Sequence, residues 1–382
     1  MSESEGSERD NDLWRYIPIG EYAKPELPAS DLLKDQMQPV WQYIKNTRFL
    51  KNVIDWLLRQ WRQPHGNSKS DSAQSKNLVQ LLPELLDRVT PKPHWKAASK
   101  AMHQMLRDWA ADGVENERKE GRMRWQRIVL DPPFCGTREI MEHLAAEQGW
   151  PIVEAPSPED ILNGGKEWVS DVASKEGSPL VIPCLERCYL RHYNGLSLIQ
   201  ELIDWLITSN RHCLIGCGSW AWAYFKAALN LGPLFPQPYI LDALSGKDLK
   251  KWLALPLRGA EEERLVFRRS NNDRKILLSM NNGEVDENSR DSESVDNAFF
   301  ETLAAYSLGN PGVARAVWRK LLRVAAEESG RDADAGASEG EERTIWVSPL
   351  SEQDLPGLPP TRARSQFFVL HTILLHGSLP PE

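Results

Sequence analysis

Between Trp125 and Leu244, short apolar runs alternate with helical patterns, and this alternation limits the fold more than any other feature of the chain. The runs are QRIVLD, WPIVEA, SPLVIP, HCLIGC and PYILDAL. Between them stand TREIMEHLAAEQ, a helix opened by Ser157, Pro158 and Asp160, then LSLIQELIDWLI and SWAWAYFKAALN. In LSLIQELIDWLI, Ile199, Leu202, Ile203 and Leu206 share one helical face. Strands joined through helices do not pair as hairpins, so the pattern predicts an α/β fold: a parallel sheet with helices on both faces. Sheets of this kind bind ligands beyond the carboxyl ends of their strands, which directs attention to the residues that follow each run.

The flanks read differently. Residues 1–12 are polar and acidic and read as a disordered tail. Residues 13–120 read as a helical N-terminal region, with Leu50, Val53, Ile54, Leu57 and Leu58 at three/four spacing and further helical stretches at Leu78–Val89 and Trp95–Ala110. The α/β core spans 121–245. A helical lid is expected over 246–326, opened by a capping box of Ser245 and Asp248 and interrupted by a polar insertion at 270–296 around KILLSM. Its last helix takes Asn310 as N-cap and Pro311 as first residue. An acidic linker occupies 327–342, and 343–382 closes on the apolar helix FFVLHTILLHG.

The net charge of −8 over 382 residues argues against a dedicated nucleic-acid coat, and no apolar run reaches the roughly 18–20 residues that a membrane span requires. The polar start lacks the pattern of a secretory leader, so the expected location is cytoplasmic. An odd number of cysteines, five, points to reduced thiols. Cys184/Cys188 and Cys213/Cys217 each follow a strand with x₃ spacing, a set that could place four thiolates on zinc. Cys184 and Cys213 sit in or beside apolar strands, where cysteine is usually a small buried hydrophobe, so no metal is expected. Fifteen tryptophans supply anchors for a core or a protein partner.

Four segments carry candidate chemistry. LDPPFCGTREIM follows the first strand, where a phosphate-binding loop GxxxxGK(S/T) would lie. Asp131 stands at the first glycine, Gly136 is retained, Thr137 replaces the lysine and Arg138 replaces the serine or threonine. The alternative is a strand–turn–helix junction without a ligand. SPLVIPCLERCYLRH follows the third strand, with Cys184 at the place of a metal-holding acid and Glu186 as a candidate catalytic acid. At the end of the fourth strand, Ser219, or Cys217 before it, occupies the place of a γ-phosphate sensor; the competing reading is a helix N-cap at Ser219. LGNPGVARAVW places Arg315 on a helix after a Gly-Asn-Pro start.

The last segment is similar to the sensor-2 helix of AAA+ and STAND-type P-loop ATPases, and LDALSGKDLKKWL resembles the entry to their lid. The terminal helix looks like the first helix of the winged-helix domain that often follows. The resemblance spans roughly residues 125–382 and implies a P-loop ATPase fold whose catalytic lysine is absent. It implies Asp131, Gly136, Thr137, Arg138, Ser219 and Arg315 around a weakly held ATP, Glu186 as the acid, and Mg²⁺ poorly retained. The function expected from it is a regulatory or scaffolding module rather than an efficient ATPase. A ligand-free interaction scaffold is the first alternative. An S-adenosyl-methionine-dependent methyltransferase is the second, because VLDPPFCGT resembles the DPFCGSG-type loop of such enzymes, with Arg138 in place of a glycine.

Overall fold

The computed structural model describes residues 13–25, 77–91, 96–111, 125–257, 264–278, 297–328, 342–350 and 364–376. In chain order its strands are β1 (Tyr16–Pro18), β2 (Leu78–Gln80), β3 (Gln126–Asp131), β4 (Leu180–Ile182), β5 (Cys213–Gly218), β6 (Tyr239–Leu241), β7 (Arg264–Arg269), β8 (Lys275–Leu278), β9 (Leu322–Ala325) and β10 (Glu342–Val347). The helices are α1 (Pro83–Arg88), α2 (Lys96–Ala111), α3 (Thr137–Gln148), α4 (Pro158–Leu162), α5 (Lys166–Ser174), α6 (Ser197–Thr208), α7 (Ser219–Ala228), α8 (Gly246–Leu253), α9 (Asn297–Ser307), α10 (Pro311–Leu321) and α11 (Arg364–His376). The chain divides into two compact units, 1–23 with 93–243 and 363–382, and 24–92 with 244–362.

The first unit is built on a five-stranded mixed sheet of order β1–β6–β3–β5–β4. β3, β4, β5 and β6 run parallel, and β1 lies antiparallel on β6. The run WPIVEA contributes one parallel bridge, Ile152 to Val181, on the outer edge of β4. Ile128, Val129 and Leu130 are buried in succession, as a strand covered on both faces requires. One face joins Ile128, Leu130, Ile182, Cys213, Ile215 and Cys217 to α6 and α7. The opposite face meets α3, where Met141 reaches Gly216.

Local signals explain most of these elements. α4 opens on a complete capping box, Ser157 Oγ accepting from the Asp160 N–H while Asp160 accepts from the Ser157 N–H, with Pro158 at the first position. α8 opens on the same device from Ser245 and Asp248. Asn310 Oδ1 accepts from the Val313 N–H at 3.0 Å and caps α10, with Pro311 next.

Three expectations about the flanks are corrected. The region 13–120 is not helical throughout: β1 and β2 lie within it, and both are three residues long, too short for periodicity to register. The pattern at Leu50–Leu58 lies outside the described residues, as do the tail 1–12, most of the insertion and most of the acidic linker. The lid is not purely helical either. β7, β8, β9 and β10 join β2 in a second five-stranded sheet of order β2–β9–β10–β7–β8. KILLSM supplies β8, which pairs antiparallel with β7. The segment 343–382 is divided between the units rather than forming the start of a winged helix. β10 pairs with β7 and β9, because buried Ile345 and Val347 alternate with more open residues as in a strand. α11 packs on α7 and on the short turn of helix at Leu185–Cys188 in the first unit. Among the described residues no helix is long and apolar enough to cross a membrane.

Candidate functional site

The parallel strands present their carboxyl ends on one edge of the first sheet, and the strand ends, turns and helix starts there carry Asp131, Gly136, Thr137, Arg138, Glu186 and Ser219. β3 ends at Asp131, and the chain turns through Pro132–Cys135 to Gly136, which takes φ +68° as N-cap of α3. That left-handed conformation costs an L side chain roughly 1–2 kcal/mol, which is why glycine stands here. The turn also holds Phe134 at φ +64°, with its ring 77% exposed.

Asp131 turns back into this loop. Its Oδ1 accepts the Thr137 N–H at 3.2 Å. A helix N-terminus offers unpaired N–H groups and the positive end of the helix dipole, the equipment that binds phosphate in other proteins. Here the anion at that N-terminus is a side chain of the chain itself. The Thr137 hydroxyl also faces the carboxylate and favours its ionised form, but its Oγ1 meets no partner in hydrogen-bond geometry.

Glu186 comes to the same place from the other side. In the sheet register Asp131 is the Cα partner of Gly218. The Gly218 N–H donates to Glu186 Oε2 at 3.0 Å. The two carboxylates therefore flank one residue at the end of β5. Burial pushes Asp131 up to about 6, against the pull of Thr137 and with a push from the charge of Glu186. Burial raises Glu186 as well, opposed by the Gly218 N–H, by its own backbone N–H, by the charge of Arg187 and by Cys184. Burial also holds the Cys184 thiol up at about 12, so it is not a thiolate at neutral pH.

The segment that carries Glu186 is braced from behind. Cys188 is buried, and the Tyr189 ring stacks on His376 of α11 at 5.4 Å and meets Phe225 edge-on at 5.7 Å. Arg191 lies 4.0 Å over the Phe368 ring and contacts His371 at 2.8 Å. Beside the segment opens a cavity of about 250 Å³, lined in part by Arg138, Glu142, Trp168, Cys184 and Arg187.

The remaining candidates have other placements. Arg138 Nε donates to Glu142 Oε1 at 2.7 Å, one turn along α3, and so lies along its helix. Ser219 is the first residue of α7, whose N-cap is Gly218 with no side-chain cap bond; the N-cap reading of Ser219 is corrected, because β5 continues through Gly218 and the helix begins on the serine itself. Arg315 belongs to the second unit, where its Nε donates to the Pro91 carbonyl at 2.7 Å. Replacing Arg315 by methionine is expected to destabilise that unit by about 1 kcal/mol in urea unfolding, the low end for a charged hydrogen bond because the guanidinium is partly open to solvent.

Cys213 and Cys217 lie in the apolar core and, like Cys135, Cys184 and Cys188, are not in a disulfide. Among the described residues no group of three or more His, Cys, Asp or Glu side chains is arranged to hold a metal.

Two contributors escape a reading of motifs. Tyr16, on β1, buries a hydroxyl without a partner, and Asp131 and Cys135 are among the charges it feels. Gly216 and Gly218 matter for the space they leave and for a backbone donor. The one available signal was glycine inside an apolar strand, LIGCG, a mark of close backbone approach. Comparison with protein-family models, with curated proteins and with solved structures finds no match for this chain.

Proposed function

We propose that the first unit is a degenerate AAA+/STAND-like ATPase core that works as a regulatory or scaffolding module, with weak or absent ATP hydrolysis. One observation carries the reading: the carboxylate of Asp131 occupies the N-terminus of α3, where a P-loop would receive phosphate. The turn keeps the glycine, the left-handed backbone and the helix start, and it lies at the carboxyl edge of a parallel strand flanked on both sides by parallel neighbours. A phosphate entering there would meet a negative charge and no lysine. Glu186 stands across from it as the acid, but its N–H partner holds it against Gly218.

The scaffold side of the proposal draws on the loops themselves. Phe134, Trp220 and Tyr193 follow β3, β5 and β4 and are 77%, 44% and 87% exposed. Exposed aromatic side chains, two in turns and Trp220 in the first turn of α7, suit a protein partner better than a small ligand.

Titration of the full chain with fluorescent ATP and Mg²⁺ tests this. The expected result is no saturable binding below millimolar nucleotide and no phosphate release. Asp131→Gly, which restores the loop glycine and removes the anion, is expected to bind more tightly than the wild type. Micromolar binding or turnover by the wild-type chain would sink the proposal.

A further inference from the structure

We propose that α11 is a proton-released latch: it docks on α7 and on the turn Leu185–Cys188 while His371 is neutral, and protonation of His371 frees it. The geometry at Arg191 carries the inference. Its Nη1 lies 2.8 Å from His371 Nδ1. A guanidinium can only donate, so His371 must accept through Nδ1 and keep its single ring proton on Nε2. The same guanidinium covers the Phe368 ring at 4.0 Å. Phe368 and His371 stand three residues apart on one helical face, so one cation grips two positions of α11.

Little else holds the helix. Of its 13 residues only Leu375 is buried, while Phe367, Val369, Ile373 and Leu374 are each more than a third exposed. A protonated His371 loses its acceptor and sets a second positive charge against Arg191. Arg364 and His376 are the other ionisable residues of α11, so no acid on the helix offsets that charge. The turn and its exit contribute Glu186, Arg187, Cys188, Tyr189, Arg191 and His192. From α7 come Tyr224 and Lys226. The one carboxylate among them, Glu186, is bonded to the Gly218 N–H, and the Tyr189 and Tyr224 hydroxyls meet each other. His376 stacks on Tyr189 at 5.4 Å. Burial lowers its pKa, but the Glu186 carbonyl favours its charged form, so protonating His376 breaks no bond.

Burial and the charge of Arg191 hold the proton off His371 in the docked state, below its ordinary value of 6.5. The undocked helix takes that proton near the ordinary value. Docking is therefore intact above 6.5 and weakens as pH falls below it, by up to about tenfold per pH unit, until the docked form is protonated too. Release uncovers the turn that carries Glu186. The latch is independent of the ATPase-like reading, because neither a nucleotide nor the phosphate-loop turn takes part.

Hydrogen exchange of the full chain between about pH 7.5 and about pH 5, corrected for the intrinsic rate at each pH and read by mass spectrometry, tests the latch. Peptides from α11 and from the turn Leu185–Cys188 are expected to lose protection by up to about tenfold per pH unit in the acid half of the range, while β3 and β5 stay protected. His371→Gln keeps an oxygen that accepts from Arg191 and does not titrate, so its α11 is expected to stay docked throughout. His371→Lys is expected to release α11 at neutral pH. Constant protection of α11 in the wild type, a loss shared equally by β3 and β5, or an unchanged pH response in His371→Gln overturns the proposal. Because no nucleotide is present, failure here leaves the ATP titration untouched, and the reverse also holds.

Discussion

Substituting alanine for Gly216 is expected to lower the stability of the first unit by about 3 kcal/mol, the upper range for overpacking a tight core. A Cβ built on Gly216 would lie 2.3 Å from the Pro183 carbonyl oxygen and 2.7 Å from Met141 Sδ. The sulfur is the flexible part of a side chain and can move. The Pro183 carbonyl cannot, because it is backbone at the exit of β4, one residue beyond the Ile182–Ile215 pairing. The strand pair must therefore part, and the exit of β4 carries Cys184 and Glu186 with it. Thermal unfolding should register a fall of about 6–12 °C for a unit of this size. A melting temperature within about 2 °C of the wild type would mean that β4 yields more easily than this packing allows.

The second large effect is a dependence of stability on pH. Asp131 titrates near 6 in the folded chain against an ordinary value of 3.8, so the native state binds its proton more tightly than the unfolded state. Its contribution is accordingly most favourable below pH 4 and is lost as pH rises through 6. Two pKa units correspond to about 3 kcal/mol, an upper figure for a group of this kind. Glu186, raised by burial, acts in the same direction. Asp131→Asn keeps the shape and an oxygen acceptor for the Thr137 N–H while removing the charge. It should be more stable than the wild type by about 2–3 kcal/mol above neutral pH, and the two curves should converge toward pH 4. Urea unfolding at a series of pH values reads this directly. A stability difference between variant and wild type that does not grow from pH 4 to 7, or a variant that is less stable throughout, would contradict it.

These experiments bear on a site whose parts were unequally visible in the chain. Asp131, Gly136 and Thr137 were legible because they are contiguous, and a strand–turn–helix junction has its own letters. Glu186 was legible as a residue after a strand. Its bond to the Gly218 N–H was not, because the register that brings β5 beside β3 is a long-range property. Tyr16 is hidden by the brevity of β1, and nothing in the segment of Arg315 announces the Pro91 carbonyl that its Nε meets.

Caps, turns and the alternation of strand with helix were written in neighbouring residues. The Ser157, Ser245 and Asn310 caps formed where they were expected because a capping side chain reaches only two or three residues. The second sheet could not be foreseen in the same way. β2, β7, β8, β9 and β10 come from stretches far apart in the chain, and they meet only because the apolar faces of short strands have to be covered. The charge state of the site has the same origin. Asp131 and Glu186 are ordinary acids as letters, and their carboxyls are pushed up when burial removes water faster than the Thr137 and Gly218 N–H groups and the charge of Arg187 replace it.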